Sequence, residues 1–323
     1  MGTCGGFGPW GFAPAKKDAS VESKNKVLFV GHTYIDVTFL TNRMPEGDKK
    51  YVAEDYAFSF GGNAVAAAFC CAKLGFETDL LCAFANDRPG RMFQDMASDY
   101  PLQIYQRKVA KTAVSFIRPF RGKRAILRGR DAHYLRAFPV LDLSDYLALH
   151  LDGHQPDAAM YYAMECRKRD ILTSLDGGRL RPNTDELLNF IDVAVVSELL
   201  CEEMGLTPSA MLAYLRNKGC KVGAVTLGSK GVLWHAGEQE GHLRAHPIPR
   251  EKIIDTNGAG DVFHGSYMFS YLRNPNQQWE EHFRFASVAA ALSIQHLGIE
   301  AGLPTLANVE AAMSGHRAPA ISQ

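Results

Sequence analysis

The sequence lacks any apolar run approaching the ~18 residues of a membrane-spanning helix. It also lacks an excess of either charge, because 35 Lys and Arg balance 35 Asp and Glu across 323 residues. Bulk electrostatic binding to nucleic acid or to an anionic membrane needs a Lys/Arg surplus, so neither is an expected partner. No CxxC pair occurs among the seven cysteines, Cys4, Cys70, Cys71, Cys82, Cys166, Cys201 and Cys220. An odd number without paired spacing argues against a zinc knuckle or a disulfide framework and fits a reducing cytoplasm. No GxxxxGK[ST] string is present, which excludes a P-loop mechanism. The opening residues do not follow the charged-then-apolar order of a secretory signal. Residues 1–26, rich in Gly, Pro and Lys, read as a flexible leader, and 316–323 as a tail.

What is present is a globular balance, 46% apolar and 22% charged, enough at this length to bury a sizeable core. Residues 26–31 form a short apolar run closed by Gly31, a good first buried strand. Residues 49–60 alternate with aromatic and β-branched side chains, as a half-exposed strand does. Residues 64–74 are apolar nearly all round, the mark of a buried helix, and Gly75 supplies its C-cap. A strand over 78–84 follows. Residues 112–120 and 124–127 frame the turn Arg121-Gly122-Lys123, a hairpin pattern. Beyond residue 137, strand-like runs at 158–162, 171–175, 193–196, 222–226 and 232–235 accompany helical stretches at 185–191, 208–218, 261–272 and 279–295. Such alternation predicts a parallel sheet covered on both faces. The less apolar pieces near 38–60 and 108–130 do not suit that sheet and are assigned to a small β-rich lid within a domain spanning 27–315. No internal repeat is visible.

The strongest chemical signal is Asp255-Thr256-Asn257-Gly258-Ala259-Gly260-Asp261, which opens an amphipathic stretch. Two glycines around one alanine let successive backbone N–H groups converge where a helix N-terminus also points, which makes an anion hole. A carboxylate beside such a hole is unsuited to passive phosphate binding. It suits a base that orients and deprotonates an attacking hydroxyl. A lone GxGD also describes a capped glycine turn; the full seven-residue string in an α/β chain favours the chemistry. Gly61-Gly62-Asn63 precedes the buried helix and either packs a tight turn or admits a ligand against backbone, with Asn63 as donor and acceptor. Asp36, after the first strand, can grip vicinal hydroxyls at the strand's C-terminal edge. Thr226-Leu227-Gly228-Ser229-Lys230-Gly231 suits a nucleotide loop or a plain strand-to-strand turn.

Together these strings resemble the ribokinase-like, or PfkB, family of carbohydrate kinases, from about Lys26 to Ala312. The resemblance implies a three-layer α/β/α sandwich with a mostly parallel central sheet and a small β-sheet lid. It implies ATP and Mg2+, a possible K+ ion, and a homodimer through the lid. By resemblance Asp261 is the catalytic base, and the N–H groups of Gly258, Ala259 and Gly260 form the anion hole. Asp36, Gly61, Gly62 and Asn63 would then bind the sugar. Thr226, Gly228, Ser229, Gly231, Thr256 and Asn257 would border the nucleotide, and Asp255 would be a K+ ligand. Arg124 is similar to a phosphate-side arginine of ketohexokinase-like members, or is a solvated strand charge.

The chain departs from the family where an NxxE string organises magnesium waters: here it reads Ser197-Glu198-Leu199-Leu200, which leaves Glu198 to act through water. The expected activity is ATP-dependent phosphorylation of a primary hydroxyl on a small fructose- or ribose-like sugar. Lys50 and Arg128 (with Lys49) would instead suit a sugar phosphate or, by the resemblance of Lys50-Tyr51-Val52-Ala53, a sulfosugar. Tyr51, Tyr56 or Phe58 would suit a nucleoside base, and the Ser197–Leu200 departure alone would suit a silent sugar-binding regulator. Gly6 to Gly11 spells GxGxxG but follows no strand. His150/His154 and His242/His246 are spaced as i,i+4 pairs without the further ligands zinc needs. His264, one turn beyond Asp261, reads as a packed or surface residue that could approach the site.

Overall fold

The computed structural model describes residues 25–120, 123–131 and 133–315. Most of the leader, the tail, Cys4, the glycine string at 6–11 and the turn residues Arg121 and Gly122 lie outside them. Lys26, placed in the leader by sequence, already begins the first strand. In chain order the elements are β1 (Lys26–His32), β2 (Tyr34–Leu40), β3 (Asp55–Gly61), α1 (Asn63–Leu74), β4 (Glu77–Phe84), α2 (Arg88–Ala97) and β5 (Leu102–Lys108). Then come β6 (Ala113–Phe120), β7 (Lys123–Gly129), β8 (Tyr146–Leu151), α3 (Pro156–Lys168), β9 (Leu172–Gly177), α4 (Thr184–Leu187) and β10 (Val193–Ser197). The chain continues through α5 (Glu198–Glu203), α6 (Pro208–Asn217), β11 (Val222–Thr226), β12 (Val232–Ala236) and β13 (Gln239–Leu243). It closes with α7 (Ala259–Arg273), α8 (Trp279–Ser293), α9 (Ile299–Gly302) and α10 (Leu306–Gly315).

Nine strands form the central sheet in the order β13-β12-β11-β10-β9-β8-β1-β4-β5. Seven of them run parallel, and β12 and β13 add antiparallel at one edge. A strand's side chains alternate between faces, so each buried strand feeds two cores. Val27 and Phe29 face a core shared with α1, α7 and α8, while Leu28 and Val30 face the one built on α3 and α6. Because both faces are covered, the strands read as continuous apolar runs rather than as alternation. The six described cysteines are buried.

The second sheet has four strands in the order β3-β2-β6-β7 and is the expected lid. It hangs from the middle of the central sheet, since only Thr33 separates β1 from β2 and only Gly62 separates β3 from α1. Gly62 has φ 106°, and a Cβ there would meet the His32 carbonyl oxygen at 2.0 Å. The chain returning from the lid therefore lies against the last residue of β1, and only glycine fits. β6 and β7 pair antiparallel, as the hairpin pattern required.

Two sequence expectations are corrected. Residues 158–162 are not a strand but part of α3: Pro156 occupies the first turn, Asp157 complements the helix dipole, and Ala158, Ala159, Tyr162, Ala163 and Cys166 form one buried helical face. The strand at that point in the sheet order is β8, ten residues earlier. Of the strand expected at 49–60, only the part from Asp55 onward pairs; residues 49–54 are exposed or half-buried and lie outside the ladder. Strands β2, β5, β8 and β13 and helix α2 were not anticipated.

Helix α7 packs on α1 through Gly265, where a Cβ would meet the Ala67 carbonyl oxygen at 2.3 Å. Gly265→Ala should therefore push the helices apart and cost on the order of 1–3 kcal/mol, as overpacking typically does. Urea unfolding checks this, and an unchanged midpoint would contradict the contact.

Candidate active site

The seven-residue string folds as expected into a turn and a helix start. Gly258 is the N-cap of α7 in the left-handed region, φ 75°, and a Cβ there would meet Ile299 Cγ1 at 2.6 Å. Val262 N–H makes the first intrahelical bond, to the Gly258 carbonyl at 2.8 Å. The N–H groups before it have no acceptor within the helix; that of Ala259 reaches back to the Thr256 carbonyl at 3.5 Å. Around Gly260 the space is open, with nothing within 4 Å of a built Cβ. Gly258, Ala259 and Gly260 thus border an open helix N-terminus of the kind that receives anions. Asp261, in the first turn of the same helix, is half-buried.

The lid meets this turn at two points. Asn257 Nδ2 donates to Asp36 Oδ2 at 3.1 Å, and Arg124 Nη1 donates to the Thr256 carbonyl at 3.4 Å. Asp36 belongs to β2 of the lid rather than to the central sheet, and it is buried. A Cβ on Gly61, across the ladder, would meet its carboxylate at 2.4 Å, so Gly61 makes room for Asp36. Burial raises the Asp36 carboxyl above its ordinary range, opposed by the Asn257 hydrogen bond and the Arg128 charge. The Arg128 guanidinium lies 4.9 Å from the Tyr34 ring centroid, on the exposed β7.

Asn63 is the first residue of α1, but its side chain is engaged: Nδ2 donates to Asp176 Oδ2 at 3.0 Å. Asp176 stands near the end of β9, at the C-terminal edge of the sheet, and was not singled out by sequence reasoning. Its signal, an aspartate before Gly177-Gly178 at the end of an apolar run, is common to many strand ends. His264 is buried as a packed residue, and its Nε2 lies 3.6 Å from Asp176 Oδ1. Burial drives the Asp261 carboxyl well above the ordinary aspartate range. The negative charge of Asp176 adds to the rise, Arg124 opposes it, Asp36 adds again and Arg128 opposes.

The remaining candidates fall in two groups. Thr226 ends β11, and residues Gly228 to Lys230 form one exposed turn of 3-10 helix before β12, so this segment is a strand-to-strand turn in form. Ser229 lies on that turn, and Gly231, φ 99°, would drive a Cβ to 2.0 Å from the Leu243 carbonyl. Lys230 Nζ pairs with Glu198 Oε1 at 3.1 Å, which joins the turn to the start of α5. Ser197 caps α5 by accepting from Leu200 N–H, and Leu200 is buried. Asp255 accepts from the N–H groups of Asn257 and Gly298 at 2.9 and 3.2 Å, and burial raises its carboxyl. Lys50 projects from the exposed segment between β2 and β3 and makes no ion pair with the other site residues. Among the described residues no group of three or more His, Cys, Asp or Glu is arranged to hold a metal ion.

Residues 24–306 match the model of the pfkB family carbohydrate kinases. Ribokinase of Lactococcus lactis is 28% identical over 298 residues, covering 88% of this chain and 96% of its own. The crystal structure of a putative ribokinase from Agrobacterium tumefaciens superposes with a TM-score of 0.82 at 25% identity, covering 91% and 99% of the two chains. Arabidopsis thaliana ribokinase complexed with ribose and ATP superposes at 0.75, with 24% identity and 90% and 99% coverage.

The raised Asp261 carboxyl has a consequence for stability that needs no substrate. A carboxyl that resists ionisation in the folded state penalises folding once pH rises above its unfolded pKa, and the penalty disappears as pH falls below that value. Asp261→Asn should therefore raise the Tm at pH 7.5, and the gain should shrink toward zero near the ordinary aspartate value of 3.8. Thermal melts of both proteins across pH test this; a gain that does not vary with pH contradicts it.

Proposed function

The chain belongs to the pfkB family of carbohydrate kinases, which transfer a phosphoryl group to an alcohol, and from that membership we propose an ATP-dependent kinase acting on a primary hydroxyl of a small fructose- or ribose-like sugar. The observation that carries the reading is Asp261 in the first turn of α7, beside open N–H groups and beneath a lid that touches the same turn. Asp261 accepts the proton of the attacking alcohol, and its raised proton affinity suits that task near neutral pH. The N–H groups of Gly258, Ala259 and Gly260, with the α7 dipole behind them, stabilise charge on the transferred phosphoryl group. Asp36 on the lid grips sugar hydroxyls, Gly61 and Gly62 let the sugar approach backbone, and Asn63 completes the wall. Lid closure through Asp36–Asn257 and Arg124–Thr256 excludes water that would otherwise accept the phosphoryl group.

Thr226, Gly228, Ser229 and Gly231 border the nucleotide from the exposed turn, and Thr256 and Asn257 border it from the signature loop. Glu198 is a single exposed carboxylate shared with Lys230, a fit for Mg2+ held mainly by nucleotide phosphates and contacting the protein through water. Bound there, Mg2+ supplies neutralisation of phosphate charge. Asp255 fits a K+ ion, because its buried carboxylate accepts from the backbone N–H groups of Asn257 and Gly298. The odd cysteine count without CxxC spacing supports a cytoplasmic setting. Arg128, exposed on β7 over the Tyr34 ring and without a salt bridge among the described residues, favours one second reading, a sugar already carrying a phosphate or sulfonate.

A second copy of the chain is proposed to cover the lid. Leu127, Tyr56 and Phe58 are 73%, 60% and 45% exposed on β7 and β3, whose outer edges are unpaired. Sedimentation should show a dimer that Leu127→Asp weakens; a monomer at all concentrations overturns this.

The activity itself is tested by ADP release across fructose, ribose, nucleosides and fructose phosphates. Asp261→Asn is expected to lower kcat by about 10²–10⁴-fold and leave nucleotide affinity nearly intact. Sugar binding without ADP release would overturn the enzyme reading, and unchanged turnover in the variant would overturn the base.

A further inference from the structure

Outside the residues given roles above lies a buried polar chain that crosses three elements, β8, β9 and α7. His150 Nδ1, on β8, is 2.9 Å from Ser174 Oγ on β9. Ser174 Oγ is 2.6 Å from the Tyr267 hydroxyl on α7. That hydroxyl is 3.2 Å from His264 Nδ1, and His264 Nε2 faces Asp176 Oδ1 at 3.6 Å, longer than a hydrogen bond but within electrostatic reach. Burial pushes both histidines down to about 3, so both are neutral, with one donor each.

An ionised Asp176 only accepts, and its charge at 3.6 Å favours the tautomer of His264 that carries its proton on Nε2, which orients the links beyond it. Nε2–H of His264 points at the carboxylate, so its Nδ1 accepts from Tyr267. Tyr267 accepts from Ser174, and Ser174 accepts from His150 Nδ1–H. His150 Nε2 is then an acceptor at the far end, and it is indeed a buried nitrogen without a hydrogen-bond partner. All the donors run toward Asp176, whose other oxygen accepts from Asn63. Space there is tight, because a Cβ on Gly178 would meet Asn63 Nδ2 at 3.1 Å and Asp176 Oδ1 at 3.3 Å.

Building on the kinase reading, we infer that Asp176 is a positioning residue for phosphoryl transfer, holding Asn63 at the start of α1 and, through His264, the first turn of α7 that presents Asp261. The packing agrees. Gly265 seats one side of α7 against the Ala67 carbonyl, and the neighbouring His264 seats another against β9, so the direction in which Asp261 points is set from two sides. Asp176 also keeps a negative charge near Asp261. The charged groups acting on Asp261 are Asp176 from β9, Asp36 from β2, and Arg124 and Arg128 from β7. Those acting on Asp176 include Asp152, Arg181 and His150. Burial raises both carboxyls, Asp261 the further.

Asp176→Asn keeps the shape and removes the charge. The acid limb of its kcat/KM profile should move to lower pH by on the order of one unit, the sign for loss of a like charge. His264→Leu leaves the charge and frees the helix turn: kcat should fall roughly 10- to 100-fold, with the ATP KM little changed and the acid limb in place. His264→Gln, which keeps a polar N–H facing Asp176, should recover most of the loss. Carbon-13 NMR titration of the Asp261 carboxyl in wild type and Asp176→Asn reads the same coupling without substrate, so it stands even if no sugar in the panel is phosphorylated. An unmoved Asp261 titration overturns the charge coupling. Wild-type kcat in both His264 variants overturns the positioning, and decides it alone if Asp176→Asn does not fold.

Discussion

Three carboxylates, Asp36, Asp176 and Asp261, arrive from β2, β9 and α7, and burying them together is the constraint around which the site is built. Burial raises each of them, and the charges of Asp176 and Asp36 raise Asp261 further. The fold offsets this with amides rather than with tight salt bridges: Asn257 donates to Asp36, and Asn63 donates to Asp176. The arginines that oppose the repulsion, Arg124 and Arg128, sit on the exposed β7, so the compensating charge comes from the lid. A site balanced in this way has one carboxyl ready to take a proton and a positive contribution that depends on the lid's position.

Close backbone packing gives the site its geometry. Gly62 against His32, Gly61 against Asp36, Gly258 against Ile299 and Gly265 against Ala67 are four places where a single added carbon would collide. The first holds the lid to the central sheet, the second packs one lid strand on the next, and two hold α7 in place. The residues bearing the chemistry are thereby carried on elements whose approach is limited by backbone contact, which is more reproducible than contact between flexible side chains. The departure at Ser197 illustrates the economy of the same region. Ser197 caps α5, Leu200 joins the core, and Glu198 pairs with Lys230 beside the exposed Leu199.

How much could be read in advance differs by element. Helix α1 was legible because an Ala-rich segment ending in glycine has few alternatives, and β10, β11 and β12 because short β-branched runs lay between clear breaks. Residues 158–162 were misread as a strand because five residues of Ala, Met and Tyr show no period; Pro156 and the later Ala163 and Cys166 reveal the helix. Strand β5 was missed because it lies at the sheet edge and carries Gln103, Gln106 and Arg107, polar residues that only the tertiary surroundings make compatible with pairing. Strand β2 was missed because one residue separates it from β1, and no turn signal marks the switch from one sheet to the other.

The seven-residue string alone determined that Asp261 would stand at a glycine-bordered helix start, because φ preferences and helix termini are local properties of neighbouring residues. The glycines before α1 and the balanced charge were determined in the same way. The tertiary structure decided what could not be local. It placed Asp36 on the lid strand β2 against Asn257, occupied Asn63 with Asp176, and buried His264 between Asp176 and Tyr267. These pairs join residues up to 221 positions apart, and a contact across such a span depends on how the layers pack, which no short window of sequence contains.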